Sequence, residues 1–143
     1  MYVLDTNILV AALWSRTGAS FELVKRAIAG ELAIAVSVAL ALEYEDVLKR
    51  DVMAQASWAS ADELDVVLDV LLARARRIMP IRTRLRPALP DPADEMVLEC
   101  AIQAGAEAIV TMNIRDFRGA CARYRMDVIG PGALLSRLKG EEK

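Results

Sequence analysis

The sequence predicts an α/β fold built on a mostly parallel sheet with helices on both faces. Three observations predict it. Short apolar runs at residues 1–4, 32–36, 108–111 and 127–129 show no polar–apolar alternation, as strands buried on both faces require. Segments of helical periodicity separate them, which is the βα pattern of such sheets. The 143 residues are 55% apolar, enough for one core in one domain spanning 1–143.

The elements follow in order. Residues 1–4 form a strand that stops in a polar turn at Asp5, Thr6 and Asn7. Phe21, Val24, Lys25 and Ile28 share a face of a helix over 21–29, closed by Gly30. After the strand at 32–36, the Ser37 hydroxyl is placed to cap a helix over 38–50. Ser60 and Glu63 have the spacing of a capping box. Leu64, Val67, Leu68, Leu71, Leu72 and Ala75 continue from it as a helical stripe to about residue 77. Pro80, Pro87 and Pro90 punctuate an extended or looping stretch over 78–89. Asp91-Pro92 opens the next helix and Gly105 closes it. Strands at 108–111 and 127–129 flank a loop carrying Asn113 to Asp116, and a final helix covers 131–139.

Composition narrows the chemistry. There is no histidine, which excludes Ser-His-acid and Cys-His nucleophile systems and imidazole acid–base catalysis. Two cysteines, Cys100 and Cys121, cannot build a zinc site alone and read as a reduced pair. Carboxylates with a hard metal ion are left as the leading means of catalysis. The net charge of −2 gives no direct argument for nucleic acid. The longest apolar stretch, 32–42, falls far short of the ~20 residues a membrane helix needs, and residues 1–5 lack a signal-peptide pattern. The expected compartment is the cytoplasm.

Four acids stand out, each with an ordinary reading beside the functional one. Asp5 directly follows an apolar run, where aspartate also serves as a turn or cap. Glu43 borders the Leu40, Tyr44 and Val47 stripe, whereas Glu45 and Asp46 turn away from it. Asp94 heads the stripe of Val97, Leu98 and Ala101, in a first helical turn that itself favours an acid. Glu95 and Glu99 lie on another face and read as solvent residues, and Asp91 as the cap before Pro92. Asp116 sits in the loop after a strand, with Arg115 and Arg118 as potential ion-pair partners. None is specific alone; the set matters if it converges. The carboxyl ends of the first and fourth apolar runs are where functional groups collect in such sheets.

Together these segments resemble the PIN-domain family, in particular the VapC-type toxin ribonucleases of toxin–antitoxin pairs. Residues 3–9 are similar to its opening strand and first metal-binding aspartate, Asp5. Ser37, Glu43 and Val47-Leu48 resemble the second motif. Asp91-Pro92-Ala93-Asp94-Glu95 resembles the third, with Asp94 as its acid, and residues 110–117 the fourth, with Asp116. The fourth departs from part of the family in carrying Asn113 where some members have aspartate. The resemblance runs from residue 1 to about 138. It implies a three-layer α/β/α sandwich and a Mg²⁺- or Mn²⁺-dependent endoribonuclease acting as a toxin, with Asp5, Glu43, Asp94 and Asp116 as catalytic and metal-binding residues. It also implies a homodimer and a cognate antitoxin.

Hard divalent ions take oxygen ligands, lower the pKa of bound water and screen an attacked phosphate, so clustered carboxylates suit phosphodiester hydrolysis. Thr6, Asn7, Asn113, Arg115 and Arg118 are the candidate substrate contacts. Arg74, Arg76, Arg77, Arg82, Arg84 and Arg86 fall in a stretch free of acids, and Arg123 and Arg125 follow the fourth motif. They read equally as phosphate contacts or as a solubilising or acid-binding surface. Aromatic residues are only 5%, which argues against base stacking as the main recognition device. Two other parallel-sheet classes fit less well. A dehalogenase-like phosphatase wants an aspartate where Asn7 stands, and a receiver domain wants an early acid pair and a late lysine. The stronger rival is an inactive PIN-like binding module, which Asn113 favours and the acids at Asp5, Glu43 and Asp94 oppose.

Overall fold

The computed structural model describes residues 1–79, 89 and 91–142. Five parallel strands organise it: β1 (Tyr2–Leu4), β2 (Ala35–Ser37), β3 (Arg76–Ile78), β4 (Ala108–Val110) and β5 (Asp127–Ile129). β4 lies between β1 and β5, with Tyr2 opposite Ala108 and Ala108 opposite Asp127. β2 pairs with β3, and a single bridge from Tyr2 to Ile34 joins that pair to β1. The strands therefore run in the order β3-β2-β1-β4-β5. The chain leaves β1 on one side and returns to β4 on the other, which makes the β1–β4 boundary a topological switch point.

Helices α1 (Thr6–Trp14) and α2 (Ala19–Ile28) connect β1 to β2. Helices α3 (Val38–Leu48), α4 (Asp51–Ala56) and α5 (Ala61–Arg74) lead to β3. α6 (Pro92–Ala104) precedes β4, α7 (Ile114–Arg123) links β4 to β5, and α8 (Pro131–Glu141) follows β5. Parallel crossovers are right-handed, so reversal of direction at β1 puts α6 on the opposite face from α1 and α2. The α/β/α expectation is thereby met. Val3, Leu4, Ile109 and Val110 are fully buried in the middle layer, as runs without alternation require.

Local chemistry explains the element ends. The Ser37 hydroxyl accepts from the Leu40 N–H at 3.1 Å, and Ser60 with Glu63 closes a complete capping box. Asp91 accepts from the Ala93 N–H at 2.9 Å, so its ordinary reading as a cap holds. Gly105 ends α6 at φ 65°, a left-handed conformation that glycine adopts without a Cβ penalty. Trp58 ties the α4–α5 connection to α1 and α2: its indole N–H donates to the Ala12 carbonyl and its ring meets Phe21 edge-on at 5.9 Å.

Several expectations are corrected. The polar turn at 5–7 is instead the start of α1, because Thr6 and Asn7 lead into Ile8, Leu9, Ala12 and Leu13, which bury one helix face. The second strand starts three residues later and ends one residue later than the expected 32–36. The helix expected over 38–50 breaks at Lys49-Arg50 and α4 restarts it. The stripe expected to reach residue 77 ends at Arg74, and Arg76–Ile78 pairs with β2 as an edge strand. Asn113 to Asp116 is not a loop between strands but the opening of α7. Residues 80–88, with Arg82, Arg84 and Arg86, lie outside the described residues.

The largest correction concerns α6. Glu95 and Glu99, expected in solvent, are each only 2% exposed. α6 packs against the sheet and against α3 as well, so its buried arc is wider than the single stripe of Val97, Leu98 and Ala101.

Candidate active site

Two strand ends form the floor of the site. Because β1 and β4 are neighbours in register, Asp5 and Thr111 both lie just past the strands at the switch point. Asp5 occupies the N-cap position of α1, as its ordinary reading expects, but makes no side-chain cap bond. Its Oδ2 instead accepts from the Thr111 hydroxyl at 2.7 Å. That hydroxyl is fully buried, and it accepts in turn from Asn7 Nδ2 at 3.3 Å and the Asn113 N–H at 2.9 Å. A hydroxyl has one proton and two lone pairs, so two incoming donors direct its proton to Asp5. The Met112 N–H donates to Asn7 Oδ1, and Asn113 Nδ2 donates to Asp116 Oδ2 at 2.6 Å. Asp5, Thr111, Asn113 and Asp116 thus form one continuous chain of hydrogen bonds.

The other acids come from helices. Glu43 is half-buried on α3, whereas Glu45 and Asp46 are exposed and pair with Lys49 and Arg50 at 3.0 Å, as the wheel argument expects. Asp94 is half-buried in the first turn of α6. Asp116 is exposed in the first turn of α7, and its partner is Asn113 rather than Arg115 or Arg118. Thr6 is buried behind Asp5, Asn7 is half-buried, and Asn113, Arg115 and Arg118 are exposed.

The acids are coupled electrostatically. Burial is the largest influence on Asp94 and lifts its carboxyl to about 6, with the charges of Asp5, Asp91, Asp116 and Glu43 adding in that order. The other four carboxylates, from α1, α3, α6 and α7, all act on this one group. Asp5 is also raised, again chiefly by burial, although the Thr111 hydroxyl and the Thr6 amide pull the other way. Among the described residues no three acidic or thiol side chains close around a point as a ready-made ion cage. The available donors are oxygens, and hard cations that keep part of their water shell need few direct ligands. Such a set fits a hydrated divalent ion.

Thr111 is the residue that sequence reasoning passed over; Asp91, read only as a cap, also adds its charge to the site. Thr111 was legible in principle: it follows 108–110 as Asp5 follows 2–4, and parallel pairing sets such positions side by side. Thr111→Val keeps the shape and removes the donor, leaving Asp5 buried without its hydroxyl partner. The expected cost is about 1.5–3 kcal/mol, a melting shift of roughly 2–4 °C per kcal/mol at this size. Thr111→Ser should recover most of it. Thermal melts check this, and a Val variant melting with the wild type would refute it.

The sequence matches the PIN domain over residues 1–115, and the chain belongs to the PIN-domain family. PIN domains are generally nucleases and typically use divalent metals. Among curated proteins no relative matches. The matched stretch includes Asp5, Glu43, Asp94, Asn113 and Arg115 and stops just short of Asp116. No helix of the described residues is long and apolar enough to cross a membrane.

Proposed function

We propose that residues 1–143 act as one PIN-like domain that hydrolyses RNA phosphodiester bonds, as the cytoplasmic toxin of a toxin–antitoxin pair. Asp5, Glu43, Asp94 and Asp116 hold Mg²⁺ or Mn²⁺. The observation that carries this reading is the convergence of Asp5, Glu43 and Asp116 on Asp94, whose carboxyl is lifted to about 6. Gathering acids raises their energy unless a cation offsets the repulsion, and a scaffold gains nothing from it. A bound divalent ion supplies a water of lowered pKa and offsets charge on the attacked phosphoryl group. Asp5 is held at one fixed orientation by Thr111, and Asn113 holds Asp116. Arg115 and Arg118 stand exposed on the same helix as Asp116, placed to meet the phosphates of an incoming strand. A homodimer and a protein antitoxin complete the proposal, on the family resemblance alone.

The test is cleavage of a mixed tRNA and single-stranded RNA substrate in Mn²⁺ and in EDTA, with Asp5→Asn alongside. Metal-dependent cleavage that disappears in a folded Asp5→Asn variant supports the proposal. Cleavage that survives the substitution removes the site assignment. Asn113, standing where some members carry aspartate, favours one rival, an inactive PIN-like binding module. Mn²⁺ that raises the melting temperature without any cleavage would select it.

A further inference from the structure

The seam between β1 and β2 is unusual for a parallel sheet. It holds one bridge, Tyr2 to Ile34, with the Tyr2 N–H donating to the Ala33 carbonyl at 2.9 Å. Alternate residues of a strand direct their backbone groups to the same neighbour. Asp5 N–H donates across to Val110 of β4, so Val3 and Asp5 serve the β4 side while Tyr2 and Leu4 face β2. β2 has no ladder bond beside Leu4, and that carbonyl needs another partner. The phenol of Tyr44, fully buried, donates to it.

The position of this bond in the sequence gives it meaning. Tyr44 directly follows Glu43, and Leu4 directly precedes Asp5. We propose that Tyr44 is a positioning residue, a strut between α3 and β1 that sets Glu43 at its working separation from Asp5. This rests on the metal-site reading above. Between the described elements carrying these two acids, the phenol is the nearest polar link in sequence to both carboxylates, since Ser37 caps its own helix and meets Cys100 of α6. An apolar ring in the same place would fill the space yet leave the Leu4 carbonyl without its donor and α3 free to slide along the sheet. Tyr44 does not touch the reacting atoms in this proposal; it acts through Glu43.

The test uses calorimetric Mn²⁺ binding and metal-free melting on the full chain, comparing wild type, Tyr44→Phe, Glu43→Gln and the double variant. A core truncation away from the site, Leu68→Ala, controls for lost stability. Tyr44→Phe is expected to melt cooperatively and to weaken Mn²⁺ binding about tenfold, in the range seen when an outer partner of a metal ligand is removed. In the Glu43→Gln background the same change should cost less than twofold, because the residue it positions is gone. Leu68→Ala should lower the melting temperature and leave the Mn²⁺ affinity in place. Equal Mn²⁺ affinity of wild type and Tyr44→Phe overturns the strut while leaving the metal site standing, and so does an undiminished tenfold loss in the Glu43→Gln background. A wild type that binds no Mn²⁺ overturns both.

Discussion

Asp94→Asn is expected to stabilise the metal-free protein while lowering cleavage on the order of 10³-fold. The loss follows from the ion's share of catalysis, which is worth several kcal/mol, at about 1.4 kcal/mol per tenfold. The stabilisation follows from the raised carboxyl. Burial and four neighbouring acids lift Asp94 from 3.8 to about 6 in the folded state. A group raised on folding takes up its proton in the native state first, so its ionisation opposes folding. The opposition begins as pH rises past about 4 and is complete above about 6. Lowering pH from 7 toward 5 should therefore stabilise the metal-free wild type.

A shift of this size corresponds to at most about 3 kcal/mol, and partial exposure reduces it to about 1–2. The neutral side chain gives up some favourable interaction with the α6 N-terminus, about 0.3–1 kcal/mol. The net sign is still stabilising. Melting curves in EDTA from pH 5 to 7.5 decide it: the wild type should lose a few degrees across the window and Asp94→Asn should stay nearly flat. An Asn variant that melts below the wild type at pH 7.5 would refute the account.

Phe117→Ala is expected to be the most damaging core change near the site. Phe117 is fully buried, directly follows Asp116, and is the largest side chain anchoring α7. Truncating a buried Phe costs about 3–5 kcal/mol through lost transfer energy and the cavity left behind. At roughly 2–4 °C per kcal/mol, melting should fall by about 10 °C. α7 also carries Asp116 and packs against β5, so its loosening should weaken the Asn113–Asp116 bond and with it Mn²⁺ binding. Urea unfolding measures the first effect and calorimetry the second. A cost below about 1 kcal/mol would mean that α7 is held elsewhere.

The strands that are apolar throughout, β1 and β4, were legible because burial on both faces leaves one kind of pattern. β3 was not, since Arg76 and Arg77 are exposed on an edge strand and continue the helical stripe ahead of them. Helix periodicity also hid Glu95 and Glu99, because one-face reasoning fails for a helix packed on two neighbours. In the candidate site, Asp5, Glu43 and Asp94 could be chosen by their place relative to apolar runs. Thr111 could have been, since it follows its strand as Asp5 does, but its bond to Asp5 could not be read, nor could that of Tyr44. These bonds reach across 106 and 40 positions of sequence, and only the fold that sets β4 and α3 beside β1 brings the partners together.

The single-bridge seam has a consequence for how the molecule opens. Amide protection in a folded chain is distributed over cooperative units, and boundaries fall where few backbone bonds cross. Here β1, β4 and β5 share one continuous ladder, while β2 and β3 form another. Asp5 and Asp116 ride on the first unit and Glu43 on the second. An ion bridging them would therefore act as a rivet between two foldons, and its signature would be slowed hydrogen exchange along β2 and α3, far beyond the residues it touches.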